Sequence, residues 1–588
     1  MSVLDTPRLT FRGQITWDPI VTNNDPTLYS EAASEPILGG STALQYRAER
    51  IANMAVERNW NIDGTHRSVL FATTVTGVDV GAGPTTDDPV VGVPLELNGM
   101  LVDADPYGFR SSQLFYDSFT AGIDGGCRIV VPGDRPFCAR RINMSRNSGY
   151  QVTAGGASVV WQASSTGPIT IDPFDSGALA LLDEHIAAGR AAGITVRFNT
   201  YRTEYYGVEA PGAAERAALQ KQLRGGGFQP NPARSLVVGV IGLWHGDEPE
   251  HEPGDRTLIP VGGTPVAAAF AKVDGNRLTV DLGNAIPETS FAVPKADLGP
   301  IELQATSAAG PVSLGTLQPA DYDRKAYEAS SGIVTLDLDA TQAAAAADGD
   351  ITVHAEGAVI LEEQELVALP ATPNLYLDEM APASLEVQVW RRGRPVTEKT
   401  SVLVVRPAVT DPVTETTDDH GHLTLPVDDD AGPGAWLWIF LPYDDQPPPV
   451  PSTADTQTMG YATTRVLPQD EELDALPPTW RNVYRHVLVS WKALAPCMDN
   501  WLDLSDEAAC EAMAPRLVAL TSPTMFDRFT FMPVTRDMTA GQRSLLHRWC
   551  ASVTGATGPP APVLAAAPDP VDVERVAARR ERRSSRGM

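Results

Sequence analysis

The apolar pattern of this chain changes period once. Up to about residue 450 the chain reads as short strand-like runs cut by glycine- and proline-rich turns, with little periodicity before residue 170 and clear alternation at Ile194–Phe198. Past residue 478 hydrophobic residues recur every three or four positions. Alternation half-buries a strand, whereas the longer spacing paints one stripe of a helix. A large strand-rich body must therefore precede a small helical element. The 49 glycines and 49 prolines supply the turns that many short strands need. The expected class is α+β, predominantly β.

With 588 residues there is room for about three or four domains. Residues 1–370 read as a β-rich body with two helices, near 176–192 and 213–223. The first is capped by Asp175 or Ser176 and stopped by Gly193, and the second ends at Gly225-Gly226-Gly227. Leu236–Trp244 is a nearly continuous apolar run, as expected of a central strand covered on both faces. Asp274-Gly275 between two strand-like runs predicts a tight hairpin. Residues 380–450 predict an Ig-like β-sandwich, and Gln446–Pro451 a stiff linker. Residues 478–553 predict helices packed on the body. Trp480, Val483, Tyr484, Val487, Leu488, Trp491 and Leu494 form one stripe, a second helix starts near Ser505, and Thr539 to Gln542 makes a capping box for a third. The Pro/Ala-rich and basic tail, 554–588, reads as disordered; its six arginines suit a solvated arm or a dock for an acidic surface.

A formal net charge of −29 argues against nucleic acid or an anionic membrane as partner. No apolar run is long enough to span a bilayer. Five scattered cysteines, with no Cys-x-x-Cys pair, suit neither a disulfide framework nor a structural zinc site, and a cytoplasmic setting is expected. Phosphate-loop, dinucleotide-binding, nucleophile-elbow and His-Glu-x-x-His motifs are missing.

Four places hold residues suited to chemistry. Glu248-Pro-Glu-His251 has the Glu-x-x-His spacing of di-iron helices, but Pro249 and Pro253 oppose a helix, so a solvated acidic loop over His245–Asp255 is expected. Asp418, His420 and His422 are metal-ligand types set close together, although Asp-Asp-His-Gly-His before a strand also reads as an ordinary hairpin turn. Arg485 and His486 flank the apolar stripe of the first C-terminal helix, where an imidazole serves as packing group or acid–base. Arg536 precedes the last helix and reads as half of a local ion pair with Asp537. Cys510 and Cys550 read as inert packing thiols.

Several blocks also carry a family resemblance. Leu4-Asp-Thr-Pro-Arg-Leu-Thr-Phe-Arg-Gly13, Pro173-Phe-Asp-Ser176, Val238-Gly-Val-Ile-Gly-Leu-Trp244 and Asn284-Ala-Ile-Pro287 come first. Gly332-Ile-Val334, Asn374-Leu-Tyr-Leu377, Tyr484-Arg-His-Val487 and Phe531-Met-Pro533 with Thr535-Arg536 follow. In this order they resemble the violacein-pathway imine-dimer synthases and the related chromopyrrolic acid synthases. The resemblance implies oxidative coupling of two indole-3-pyruvate imines, with the iron chemistry in a ferritin-like four-helix domain that would follow this region.

The expectation for this chain is thus a non-catalytic accessory or scaffold, acting with a separately encoded ferritin-like oxidase. No cofactor is inferred for the chain itself; non-haem iron or haem would come only through the partner domain. Self-association is left open. The alternatives are a standalone enzyme acting on an amino-acid-derived imine or keto acid through Arg485 and His486, and a purely structural or binding protein.

Overall fold

The structure is a computed structural model. It describes residues 3–17, 67–105, 110–143, 154–155, 158–204, 233–264, 266–288, 294–379, 381–407, 409, 411–427, 432–452, 455–489, 491 and 502–555. The predicted helix at 213–223, Leu494, Cys497 and the tail beyond 555 lie outside these residues.

The first sheet closes on itself. Strand Arg8–Trp17 pairs with Ser68–Asp79 on one side and Ala233–Trp244 on the other. The order continues through Gly193–Glu204, Ser158–Ser165 and Phe137–Asn143 one way, and through Leu95–Asp103 and Ser112–Gly122 the other. Gln113 then pairs with Cys138 and Leu114 with Phe137, which joins the two arms into a ring of eight strands. A barrel of that size has an interior just wide enough for side chains to fill. Here Leu9, Phe11, Tyr116, Phe137, Trp161 and Phe198 fill it. The helix Gly177–Ala187, capped by the Ser176 side chain, adds Leu179 and Leu182 to the same core. It ends at Ala187 with left-handed Gly189 close behind, so Gly193 opens a strand and does not terminate the helix.

The glycines of the Val238–Trp244 block have a packing reason. Gly239 lies opposite Phe11 in register, and a Cβ there would come within 2.3 Å of the Phe11 ring. The glycine lets that ring lie flat across the strand.

A second, eight-stranded antiparallel sheet runs from Gly310–Leu317 through Ile301–Ser307, Ile351–Ala355, Ala358–Gln364, Arg256–Pro260, Ala269–Asp274 and Arg277–Asp281 to Ile333–Asp337. The Asp274-Gly275 hairpin is there, with Asp274 opposite Arg277 and Gly275 at φ 56°. Helix Ala340–Asp348 packs Ala345 and Ala346 into this sheet's core. Arg8 ties barrel to sheet, donating to Asp79 on one and Thr335 on the other, both at 2.9 Å.

Next comes the two-sheet, Ig-like sandwich. Leu366–Pro370, Ala383–Arg391, Arg394–Pro395 and His422–Val427 face Asn374–Asp378, Gly460–Leu467, Gly434–Tyr443, Ser401–Val405 and Val413–Thr416. It draws strands from both sides of 380–450. The 446–451 segment consequently joins two strands of one sandwich sheet and is no linker between domains. Directly after it, Thr456 donates to Ile142 O at 2.6 Å, and Gln457 O accepts from Arg141 at 2.7 Å, docking this connection on the barrel.

The helical element is Trp480–Leu488 (whose second half is a π-turn), Glu507–Ala512, Ala514–Leu520 and Ala540–Thr554. Asp506 caps the second, and Thr539 with Gln542 forms the capping box of the last. Val483, Val487, Leu517, Leu545 and Trp549 share one core. No helix among the described residues is long and apolar enough to cross a membrane.

Candidate functional site: a charged cleft between barrel, sheet and sandwich

The connection from the barrel strand Ala233–Trp244 to the sheet strand Arg256–Pro260 is His245–Asp255, and it floors the site. The expectation of a solvated acidic loop is wrong. Only Gly246 and Asp247 are exposed, while His251, Glu252 and Asp255 are buried. Burying carboxylates costs several kcal/mol each unless counter-charges come with them. The barrel's outer wall provides those charges. Arg135 meets Glu250 at 2.8 Å, Arg141 meets Glu252 at 3.1 Å, and Arg140 lies 3.6 Å from Glu252. Arg197 bridges Asp255 at 2.7 Å and Asp281 at 3.4 Å, and donates through Nε to Gln162 at 2.9 Å. The Arg197 and Asp255 side chains are 2% and 1% exposed, so neither partner has water as a substitute.

Above this floor opens a cleft of about 670 Å³, within the range of small-molecule sites. One wall is formed by Asp5, Glu248, Asp255 and the hairpin residues Lys272 to Gly275. Arg197, Arg256, Trp390 and the sandwich turn Arg391-Arg392-Gly393-Arg394 complete the lining. The turn sits tight on the floor: a Cβ on Gly393, at φ 73°, would come within 3.0 Å of Arg256 N and 3.3 Å of Asp255 C. Glycine is required there for both its left-handed backbone and its missing side chain. Trp244, at the end of the barrel strand, lines the cleft with its N–H donated to Glu248 O at 3.3 Å.

The walls perturb their titratable groups. Burial pushes the Glu248 carboxyl up to about 7, against the His245 N–H that donates to it at 3.0 Å. Burial also works to lower Lys272, but the Asp5 and Asp255 carboxylates outweigh it and hold the ammonium above its ordinary range. Burial raises Asp281 in spite of Arg197. A carboxyl poised near neutrality inside a cleft is suited to hold or pass a proton.

The residues singled out from sequence stand elsewhere. Asp418, His420 and His422 form an exposed hairpin turn, where Asp418 Oδ1 accepts the His420 and His422 backbone N–H groups at 2.8 and 2.9 Å. Those bonds hold the Asp418 carboxyl below its ordinary range. Arg485 is exposed and His486 half-buried on the π-turn, outside the cleft lining; His486 O accepts from Gln542 at 3.1 Å. Arg536 is 2% exposed, sits 3.3 Å over the Phe115 ring, and donates to the carbonyls of Phe526, Val534 and Arg528 at 3.1, 2.7 and 3.0 Å. It pins the helical element to the barrel. Its neighbour Asp537 accepts from Trp491 at 3.2 Å. Cys510 and Cys550 are buried in the helical core, and burial pushes Cys550 up to about 12.

The Glu248–His251 spacing does not fit a di-iron centre. The segment is not helical, Glu248 is held by the His245 backbone, and His251 Nδ1 faces Pro136 O at 3.1 Å. Among the described residues no group of three or more His, Cys, Asp or Glu side chains converges as a metal site.

Gln162, Arg197, Asp255, Lys272, Trp390 and Arg394 were not singled out from sequence. One local signal was present: Arg-Arg-Gly-Arg at 391–394 is a dense cationic turn on an acidic chain.

No protein-family profile matches the chain. It is 24% identical over 629 aligned positions to 2-imino-3-(indol-3-yl)propanoate dimerase of Chromobacterium violaceum, a match that takes in 94% of this chain. The chain spans 58% of the length of that curated relative. Solved structures give only faint likenesses. The N-terminal four Ig domains of Dscam1 align at 9% identity and a TM-score of 0.12, over 62% of this chain and 82% of that one. Alpha-2-macroglobulin of E. coli aligns at 9% and 0.13, over 80% and 27%. Scores that low carry no structural argument. The relationship to the dimerase rests on sequence alone.

Proposed function

We propose that this chain is the non-catalytic body of a natural-product biosynthetic system of the imine-dimerising kind. In this reading it binds a separately encoded ferritin-like oxidase and helps enclose a reactive imine while that partner performs the redox step. The carrying observation is the similarity to the dimerase along 94% of this chain. The physical motive is that imines hydrolyse in water, so a protein wall that excludes solvent protects them. A cleft walled by barrel, sheet and sandwich, with aromatic and charged linings, is the kind of surface such a role uses. The test is co-expression with a ferritin-like oxidase from the same organism. One complex is expected on size exclusion, burying more than about 1,000 Å². Two separately eluting proteins at micromolar concentration overturn the reading.

A second reading, a standalone enzyme acting on an amino-acid-derived imine or keto acid, is favoured by one feature. Glu248 is a carboxyl near neutrality inside the cleft, which is the condition for general acid–base work. Turnover of such an imine by the isolated protein, lost in Glu248→Gln, would put this reading first. His486→Ala is expected to leave such turnover intact, since His486 lies outside the cleft lining.

A further inference from the structure

Phe174 and Ile123 are the two most exposed large apolar side chains among the described residues, at 66% and 63%. They stand at one end of the barrel. Ile123 is in the hairpin between Ser112–Gly122 and Arg128–Pro132, and Phe174 follows Thr170–Asp172, which pairs with that second strand. Arg128 faces Gly122 on one side and Asp172 on the other, and Cys127 Sγ donates to Pro173 O at 3.5 Å, so the two turns are adjacent. Phe174 has φ 49°, a left-handed backbone that a bulky side chain adopts only under strain. Scattered surface hydrophobics are ordinary. A strained backbone that holds a ring in water, beside a second exposed apolar side chain, marks a contact surface.

The rim of this surface is acidic. Asp124 and Asp172 flank the pair, and Asp175 follows Phe174. Asp88 Oδ2 accepts the Ala178 N–H at 3.0 Å, which brings Asp87 and Asp88 to the same end. On the stretches 85–90, 122–128 and 172–178 these five carboxylates meet one cation, Arg128, and it is paired with Asp124. An apolar centre inside a negative rim fits a partner whose apolar side chains are set among cations.

The sequence contains such a segment. Residues 571–586 hold six arginines and three carboxylates, with Val571, Val573 and Val576 near the start. No other twelve residues of the chain carry six cations, as 575–586 do. Val571 lies 16 positions past Gly555, the last described residue, so the tether reaches at most about 55 Å. Tethering sets a local concentration of about a millimolar, at which a contact with a Kd of about 0.1 mM holds the segment down roughly nine-tenths of the time.

We infer that the arginine-rich segment 571–586 docks on its own chain, its valines against Phe174 and Ile123 and its guanidiniums on the surrounding carboxylates. This stands apart from the accessory reading and does not depend on an oxidase partner.

The experiment is limited trypsin digestion of the full chain at low salt, with cleavage after the six tail arginines followed by mass spectrometry. A synthetic peptide of residues 571–586 gives the undocked rate. The parent is expected to be cut about tenfold more slowly than the peptide, because cleavage follows the population of the undocked arm. Phe174→Gly deletes the ring and suits the left-handed backbone, so the fold is kept. It should bring the rate to within about twofold of the peptide's. Ile123→Ser should do so in part. Salt at about 1 M, which screens charges beyond about 3 Å, should raise the parent's rate severalfold relative to the peptide's. Glu471→Gln with Glu472→Gln neutralises an exposed acidic turn that has no exposed large apolar side chain, and should change nothing. A parent cut as fast as the peptide, or a Phe174→Gly chain protected as well as the parent, overturns the inference. Release of the arm by the Glu471 and Glu472 changes overturns it too, as does protection that vanishes on dilution, which would place the arm on a second copy.

Discussion

Two short runs of this chain look alike on paper and end in opposite places. His245–Asp255 and Asp418–His422 are both acidic, both histidine-bearing, and both lie between strands. The first is folded into the junction of three bodies; the second stands in solvent as a hairpin turn. What separates them is the source of their partners. Asp418 satisfies itself locally, accepting the N–H groups of His420 and His422. The carboxylates of the first run instead meet Arg135, Arg141 and Arg197, which the barrel presents from 58 or more residues upstream of their partners. The fate of an acidic run is set by whether the fold delivers cations to it, and less by its own composition.

The strongest way to break this comparison is to remove the delivered cation. Arg197→Met should leave Asp255 and Asp281 buried without their shared guanidinium and cost about 3–5 kcal/mol in denaturant unfolding. Adding Asp255→Asn to that variant should recover part of the loss, because the two groups are directly coupled. A cost below about 1 kcal/mol for the single change would mean the run is not held by its ion pairs.

Much of the fold was legible because local rules agreed with it. The strand-like runs before residue 450 gave strands, Asp274-Gly275 gave its hairpin, and Thr539 with Gln542 gave its capping box. The Phe11 and Gly239 blocks stood out as motifs, but their reason is a cross-strand fit over more than 200 residues of separation, and only the assembled barrel exhibits it. Barrel closure depends on two residue pairs, Gln113 with Cys138 and Leu114 with Phe137, which no periodicity marks. The cleft was illegible for the same reason. Its walls come from residues near 5, 197, 248–256, 272 and 390–394, and each piece alone reads as surface charge. Arg536 misled in the opposite direction: a charged residue before a helix suggests an ion pair, whereas its left-handed backbone (φ 60°) and three carbonyl acceptors make it a buried pin.

A smaller effect sharpens the comparison through pH. The folded chain holds the Glu248 proton up to about 7, whereas an ordinary glutamate releases it near 4.5. Between those values the folded state binds more protons than the unfolded one, so this group's contribution to stability falls as pH rises from 4.5 through 7. At most about 3 kcal/mol is at stake. Glu248→Gln should flatten that part of the stability–pH curve and raise stability most above pH 7. An unchanged slope would place the proton on another group of the cleft.

The smallest effect belongs to the exposed turn, and its smallness is the point. Asp418 has its carboxylate held below the ordinary range, so its stabilising share is present above about 3.8 and lost only as pH falls through the depressed value. Asp418→Asn keeps an oxygen that can accept both N–H groups and should leave the melting midpoint where it is. Asp418→Ala loses those two acceptor bonds in full solvent, where water replaces them, and should shift the midpoint only slightly. Excess zinc should move neither variant nor parent, because the carboxylate is already turned to the backbone and the two imidazoles lie on an exposed turn with nothing else converging on them. A zinc-dependent rise in midpoint that His420→Ala or His422→Ala abolishes would show that this turn also recruits partners, and the contrast with the buried run would then be one of ligand and not of burial.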